Sequence, residues 1–298
     1  MENQHNKSDD ALLILRQEID KIDNQIIKLL SQRMEVVKQV GELKKNNNEK
    51  FFIRANREAD MIKDLIKKTD SSFPKSVIVN IWRKIIASAN MTEQSLNIVI
   101  HNPKNIADYP YLVKDYYNQE IPISLNDSVT KIVQEIESNQ VQIAAFALPK
   151  GEVDNNDKLD ISENWWINLA NNKLGIRVFA KIPFIEIADK KLEISCDVNL
   201  VLVASKEPEK SSQDNSLLYL EVAKDFSKSE VLLALSNGGF ESKILKSVRL
   251  PQIDNVVFYL VEVRGFYVSE SQEIKELSKS KPRPFVKVLG NYATPILI

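Results

Sequence analysis

The chain has 298 residues, which suits two or three domains, and its 40 Lys and Arg nearly balance its 41 Asp and Glu. This balance excludes a global field of the kind that attracts nucleic acid or acidic membranes, so any basic site has to be local. One cysteine, Cys196, excludes an internal disulfide, and only two histidines argue against a metal site. The polar N-terminus and the lack of apolar runs near ~18 residues predict a cytoplasmic protein.

A long amphipathic helix is predicted for residues 12 to 44. Apolar side chains recur at alternating spacings of four and three, with a gap at Arg33. They are Leu15, Ile19, Ile22, Ile26, Leu29, Val36, Val40 and Leu43. This heptad pattern predicts packing against another helix over about 50 Å. Because the helices that follow are much shorter, we expect the partner helix to come from a second copy of the chain, which gives a homodimer.

Two shorter helices follow a polar break at residues 45 to 50. One is predicted over residues 56 to 68. The other begins at Pro74, because proline suits the first helical turn. Its buried side chains are expected to be Ile78, Trp82, Ile85 and Ala89. No strand pattern occurs before residue 95, so this part of the chain is predicted to be all-α.

After residue 95 the pattern becomes one of alternating strands and helices. Strands are predicted at residues 97–100, 141–148, 176–187, 217–222, 242–248, 256–263 and 285–289, and helices at 128–138, 229–236 and 270–278. The last hundred residues therefore have the order βαββαβ. We expect a helical domain over 1–95, an α/β region over 96–204, a linker over 205–216 and an α+β domain over 217–298.

Arg33 is the most informative residue, because it stands where the heptad otherwise takes an apolar side chain. Lys44 lies on the same helix face at about 16 Å, so the two cations could bracket a small dianion. Arg57 and Glu58 open the second helix and add a cation and a carboxylate. The alternative is that the stem of Arg33 packs while its head reaches solvent. Periodicity alone leaves both readings open.

Arg16 lies about 25 Å before Arg33 on one helix, too far to share an intrachain site. It could join that site only if a second copy of the helix ran antiparallel, which would create two identical sites related by a two-fold axis. The residues alone favour a simple surface position for Arg16.

Several segments between residues 10 and 95 resemble the all-helical chorismate mutases of the bacterial bifunctional type. They are 15–20 (Leu-Arg-Gln-Glu-Ile-Asp), 29–33 (Leu-Leu-Ser-Gln-Arg), 40–44 (Val-Gly-Glu-Leu-Lys), 52–59 (Phe-Ile-Arg-Ala-Asn-Arg-Glu-Ala) and 81–86 (Ile-Trp-Arg-Lys-Ile-Ile). The resemblance implies two chains intertwined through the long helix, with Arg16 entering the partner's site. It also implies the rearrangement of chorismate to prephenate in phenylalanine and tyrosine biosynthesis, without metal or cofactor.

The same resemblance implies roles for individual residues. Arg16 from one chain and Arg33 from the other resemble the pair that holds the substrate carboxylates. Lys44 resembles the lysine that hydrogen-bonds a carboxylate and the breaking ether oxygen. Glu58 matches the acid that accepts a hydrogen bond from the ring hydroxyl, and Arg57 matches the arginine beside it. Such cations and donors suit a concerted rearrangement, because they hold the reactive conformer and stabilise charge on the ether oxygen.

Two further positions depart from the family or need a special protonation state. Ala89 stands where some members have a serine that contacts a carboxylate, so we expect one substrate contact to be missing. Glu93 stands where the family has Gln or Glu facing the ether oxygen. Glu93 can donate only when protonated, a state that burial favours and the nearby Lys44 opposes. We therefore predict that kcat/KM falls as pH rises and that Glu93→Gln flattens the profile.

The later residues resemble the prephenate dehydratase and regulatory ACT portions of bifunctional enzymes. The matching segments are 97–101 (Asn-Ile-Val-Ile-His), 142–149 (Gln-Ile-Ala-Ala-Phe-Ala-Leu-Pro) and 289–292 (Leu-Gly-Asn-Tyr). The resemblance implies a periplasmic-binding-like lobe and an ACT-like domain. However, the dehydratase tripeptide Thr-Arg-Phe occurs nowhere in the sequence, and residues 150–152 (Lys-Gly-Glu) replace the expected Glu-Asn-Ser. We therefore expect no dehydratase activity from this degenerate part.

Three functions are compared on this basis. The first is a mutase with a degenerate C-terminal half, which we favour, and the second is a bifunctional mutase–dehydratase. The third is a non-catalytic sensor that binds an aromatic-pathway metabolite. The ACT-like part could bind an amino-acid effector in any of them. Trp165 and Trp166 form either a docking or ligand-stacking pair or, as we favour, one buried and one half-exposed side chain.

Overall fold

The computed structural model describes residues 2–47, 49, 51–70, 72–149, 164–172, 175–186, 198–250, 253 and 255–297. The chain divides into two compact units, Met1–Phe52 with Ala89–Ser95, and Ile53–Ser88 with Leu96–Ile298. None of the helices within the described ranges is both long and apolar enough to cross a membrane. Cys196 and the substituted residues 150–152 lie outside the described ranges.

Helix α1 (Glu2–Asn46) is continuous over 45 residues, which confirms and lengthens the predicted first helix. Its heptad side chains are uncovered in the single chain, with Leu15 and Leu29 60% and 63% exposed. A row of apolar side chains along about 50 Å of helix is a surface that water solvates poorly. The packing partner predicted for this helix is therefore not supplied by the described residues of the same chain.

Helices α2 (Ala55–Lys68) and α3 (Lys75–Glu93) confirm the two shorter helices of the N-terminal part. The predicted inward face of α3 was Ile78, Trp82, Ile85 and Ala89. Of these four, Ala89 is buried and the other three are only half-buried. The most buried side chains of the first turns are instead Val79, Arg83 and Ile86, one residue further along. The inward face is therefore rotated by about 100°, one residue of an α-helix, and brings an arginine into the core.

The first part of the α/β region contains more elements than predicted. They are β1 (Ile98–His101), α4 (Asp108–Tyr116), β2 (Ile123–Asn126), α5 (Val129–Glu137), β3 (Ile143–Ala147), α6 (Trp165–Ala170), β4 (Ile176–Ile182), β5 (Ile185–Glu186) and β6 (Leu200–Ser205). The expected strands at 97–100 and 141–148 and the helix at 128–138 are confirmed. Elements α4, β2, α6 and β6 were missed. The strand expected over 176–187 is interrupted at Pro183 and Phe184, and Pro183 has no N–H for a ladder.

The predicted βαββαβ order of the last hundred residues is confirmed. Its elements are β7 (Asp214–Ala223), α7 (Lys228–Asn237), β8 (Ser242–Val248), β9 (Val256–Arg264), α8 (Gln272–Lys279) and β10 (Phe285–Ala293). The strands lie in the order β10-β7-β9-β8, and every neighbouring pair is antiparallel. Ser227 caps α7 by accepting from the Glu230 N–H, while Glu230 accepts from the Ser227 N–H. A last short strand, β11 (Ile296–Leu297), pairs with β5.

The two predicted α/β regions share one sheet of nine strands, in the order β2-β1-β3-β6-β4-β10-β7-β9-β8. They join where β4 meets β10, at the pair Val178 and Gly290. Gly290 has a φ of +144°, and a Cβ there would lie 2.1 Å from the carbonyl oxygen of Val178. Only glycine allows so close an approach of the two backbones.

The two faces of this sheet are covered by different helices. On β7, Leu217 and Tyr219 belong to a core cluster with α5 and α6, whereas Leu218 and Leu220 belong to a cluster with α7 and α8. This alternation is expected, because successive strand residues point to opposite faces. Trp165 and Trp166 in α6 are both fully buried. The expectation of one half-exposed tryptophan is therefore wrong, and neither ring is available at the surface for docking.

Candidate active site

Lys44 and Glu93 form a buried ion pair in the first unit. The Lys44 Nζ atom lies 2.5 Å from Glu93 Oε2 and 3.0 Å from the carbonyl oxygen of Phe52, and both are its acceptors. Only 15% of the Lys44 side chain and 8% of the Glu93 side chain are exposed. Lys44 lies in the last turn of α1 and Glu93 is the last residue of α3, so the C-terminal ends of both helices meet at this point. The structure thus brings together two of the three predicted catalytic residues.

Gly41 explains how α3 comes so close to α1. One turn before Lys44, it has no side chain, and a Cβ there would lie 3.3 Å from the Glu93 Cγ and 3.5 Å from its Cα. The Phe52 N–H also donates to Gln94 Oε1 at 3.1 Å, which ties the chain after the polar break to the end of α3. These contacts hold the Glu93 backbone against the face of α1 that carries Lys44.

Arg33 and Arg16 differ in their surroundings on α1. Arg33 is half-buried, and its Nη1 atom is fully buried without a hydrogen-bond partner among the described residues. Arg16 is exposed on the same helix. A buried cationic N–H without an acceptor is costly unless something else supplies one. Arg33 therefore has the property expected of a residue that binds an anion.

Glu58 and Arg57 lie in the second unit, at the start of α2. Arg57 is exposed, whereas Glu58 is buried. The Arg83 Nη1 atom donates to Glu58 Oε2 at 3.1 Å, and both side chains are about nine-tenths buried. Sequence reasoning missed Arg83, although the matched segment 81–86 contains it. The signal was its spacing from Val79 and Ile86, which marks an arginine on a buried helix face.

Ala89 is buried at the end of α3, where its methyl group offers no hydrogen bond. The side chains of the predicted site supply cations, a carboxylate acceptor and an ion-paired acid. Among the residues that the structure describes, no three His, Cys, Asp or Glu side chains group together as metal ligands. These groups can stabilise negative charge on a bound molecule and fix its orientation.

Residues 15–94 match the family model of chorismate mutase type II. This part of the chain is therefore similar to chorismate mutase type II domains. The match contains every residue proposed from the sequence for the site, from Arg16 to Glu93, and it ends at the last turn of α3. We refer to residues 15–94 as the mutase domain.

Two curated relatives are bifunctional chorismate mutase/prephenate dehydratases. The protein from Aquifex aeolicus (strain VF5) is 30% identical over 94 residues, which cover 30% of this chain and 26% of the relative. The protein from Stutzerimonas stutzeri is 25% identical over 130 residues, which cover 42% of this chain and 36% of the relative. The alignments thus span about a quarter to a third of the relatives' lengths.

A solved prephenate dehydratase from Streptococcus mutans aligns with 68% of this chain and 100% of its own, at 15% identity and a TM-score of 0.43.

Proposed function

We propose that this protein is a chorismate mutase, an isomerase that converts chorismate to prephenate in aromatic amino-acid biosynthesis in the cytoplasm. The observation that carries the proposal is the buried, unpartnered Nη1 of Arg33 within a domain that matches the mutase family. Chorismate is a dicarboxylate, so it would supply the acceptor that this guanidinium lacks. The site residues are Arg16, Arg33, Lys44, Arg57, Glu58, Ala89 and Glu93.

Each polar residue has a part in this mechanism. Arg33 and Arg16 bind the two carboxylates, and Lys44 binds a carboxylate and the ether oxygen. Glu93 could donate to the same ether oxygen only in its protonated form, which its ion pair with Lys44 opposes. Binding the compact conformer removes most of the entropic barrier, and the donors stabilise the negative charge that grows on the ether oxygen as its bond to carbon lengthens. The shift is concerted, so it needs no cofactor, nucleophile or metal.

We further propose a homodimer formed through α1. Its support is the exposed heptad row, whose side chains have the spacing of a helix–helix seam. In an antiparallel pair, Arg16 of one chain would reach the site of the other. A dimer therefore both covers the apolar row and completes the substrate site.

The last hundred residues are proposed to be an ACT-like domain, because they have the βαββαβ order and their four long strands pair antiparallel with one another. An amino-acid effector is the ligand class that this likeness suggests. The second candidate function is a bifunctional mutase–dehydratase, which the names of both relatives favour. Against it, the sequence lacks the Thr-Arg-Phe tripeptide. We therefore propose that the α/β part has no dehydratase activity.

The test follows the loss of chorismate absorbance with purified wild type, Arg33→Ala and Lys38→Ala, with the products separated by chromatography. Lys38 is a matched control, because it is an exposed cation of the same helix that pairs with Glu35. We expect prephenate from the wild type, a fall of about 10²- to 10³-fold in kcat/KM for Arg33→Ala, and little change for Lys38→Ala. Phenylpyruvate formed at neutral pH would establish the bifunctional enzyme. Binding of chorismate without turnover would favour the sensor and refute the mutase.

A further inference from the structure

Helix α2, which carries Glu58, is attached to the segment that leads into β7. The Asn56 Nδ2 atom donates to Asp214 Oδ1 at 3.0 Å and to the Glu209 carbonyl at 2.7 Å. One turn later, the Asp60 carboxylate accepts from the Ser212 N–H at 3.0 Å and from its hydroxyl at 2.5 Å. Asn56 and Asp214 are both buried, so these hydrogen bonds form away from water, where losing one is costly. The first turns of α2 therefore take their position from the α/β part of the molecule.

Arg83 is held by one residue of the mutase domain and one residue beyond it. Its Nη1 atom donates to Glu58 Oε2 at 3.1 Å, and its guanidinium carbon lies 3.8 Å from the centroid of the Tyr116 ring. The Arg83 Nε and Nη2 atoms are buried and have no hydrogen-bond partner among the described residues. The ring face and the Glu58 carboxylate are thus the observed groups that compensate this buried charge.

Tyr116 is well suited to this contact. It is buried at the last residue of α4, and burial raises its pKa to about 12, an effect that the positive charge of Arg83 opposes. The ring is therefore neutral at physiological pH and presents an electron-rich face to the guanidinium. The next residue of α3, Lys84, donates to the carbonyl oxygens of Lys114 and Asp115, which fastens the end of α4 to α3.

We propose that Arg83 is a positioning residue for the mutase reaction, and that Tyr116, from outside the mutase domain, fixes Arg83 and through it the carboxylate of Glu58. This inference rests on the proposed function and adds to it a role for the α/β part. A guanidinium that uses one nitrogen on Glu58 and its face on Tyr116 loses orientation when the ring is removed. Glu58 then loses the geometry with which it accepts from the substrate hydroxyl. The α/β part thus contributes, through Tyr116, to the geometry of the mutase site.

The experiment uses the full chain with Tyr116→Leu, Tyr116→Phe and, as a matched control, Tyr111→Leu. Tyr111 lies on the same helix and is 64% exposed. We expect kcat/KM for chorismate to fall about tenfold in Tyr116→Leu, since a desolvated cation–π contact is worth roughly that factor. Tyr116→Phe keeps the ring face and should retain activity within about twofold, as should Tyr111→Leu. Rescue by phenylalanine separates positioning by the ring from a role of the hydroxyl.

A second variant, Arg83→Lys, covers the case in which Tyr116→Leu does not fold. It keeps the charge but loses the planar fork, so we expect a similar fall in kcat/KM with an intact circular dichroism spectrum. A role in stability alone would leave kcat/KM of the folded variants unchanged.

The outcomes separate this inference from the proposed function. An active wild type together with an unchanged kcat/KM in Tyr116→Leu would overturn the inference and leave the mutase intact. A loss in Tyr116→Phe as large as in Tyr116→Leu would overturn it as well, because the ring face would then be insufficient. A folded wild type that makes no prephenate would refute the proposed function and, with it, the inference.

Discussion

Two buried ion pairs among the described residues, Lys44 with Glu93 and Arg83 with Glu58, lie one in each unit and differ in what surrounds the cation. Lys44 is met by Glu93 and by the carbonyl of Phe52, and 15% of its side chain is exposed. Arg83 is met by Glu58 and by a ring face, and 6% of its side chain is exposed. A flexible ammonium with some access to water can exchange a protein acceptor for a substrate oxygen more easily than a buried guanidinium can. This difference suits Lys44 to binding substrate and Arg83 to holding Glu58 in position.

Breaking the more buried pair should have the largest effect. In Arg83→Met, the Glu58 carboxylate stays buried without its ion-pair partner, and the free energy of unfolding should fall by about 3–5 kcal/mol. Urea denaturation followed by circular dichroism measures this change. The control is Arg264→Met, whose pair with Glu241 is exposed and should contribute less than about 1 kcal/mol. Equal losses in the two variants would contradict the comparison.

Removing the other cation should affect activity more than stability. Lys44→Met deletes the proposed donor to the ether oxygen, so kcat/KM should fall by about 10²- to 10³-fold. Stopped-flow or steady-state assays of chorismate loss measure this, with Lys38→Met as the control for an exposed lysine of α1. If Lys44→Met lost stability as severely as Arg83→Met but kept its activity, the assigned roles would be reversed.

The protonation state of Glu93 gives a finer test of the same pair. In the proposed mechanism Glu93 can donate to the ether oxygen only as the neutral acid, so we expect kcat/KM of the wild type to fall as pH rises. Glu93→Gln carries a permanent donor, so its profile should be flat from about pH 5 to 8. Matched pH–rate profiles of the two proteins check this. A flat wild-type profile would mean that Glu93 does not donate to the substrate.

The smallest effect is expected at Gly41. Gly41→Ala places a methyl group 3.3 Å from the Glu93 Cγ, which should shift Glu93 by a few tenths of an ångström and lower kcat/KM less than about tenfold. Alanine also favours the helix by about 1 kcal/mol over glycine. This gain should offset the cost of the closer contact with Glu93, so the free energy of unfolding should change little. Thermal unfolding and the chorismate assay together measure both quantities. A stable variant with unchanged kcat/KM would show that the position of Glu93 tolerates this shift.

Local patterns were sufficient for much of the fold and for less of the site. The heptads of α1 and the apolar runs of β8 and β9 predicted those elements, because their spacing repeats within a short window. The strand β2, with its half-exposed pattern, gave no such signal, and neither did the union of two regions in one sheet. That union depends on Val178 and Gly290, which are far apart in sequence. Sheet register of this kind is decided by tertiary packing.

The site was predicted less completely than the fold. Arg33 stood out in its heptad, whereas the contact between Lys44 and Glu93 needed the family resemblance, because 49 residues separate them. Arg83 was missed because the inward face of α3 was assigned one residue too early. A helix with apolar residues on two adjacent faces allows both assignments, and the α/β part that buries Arg83 decides between them.

The pairing of β4 with β10 at Gly290 also predicts how a chain truncated before β10 would behave. Strand β4 has β6 on one side and β10 on the other, and its side chains are mostly buried. A chain that ended before β10 would leave β4 and β7 each with a bare, apolar edge. Such edges pair readily with strands of other molecules, which leads to aggregation. Strand β10 therefore covers two strand edges that would otherwise promote self-association.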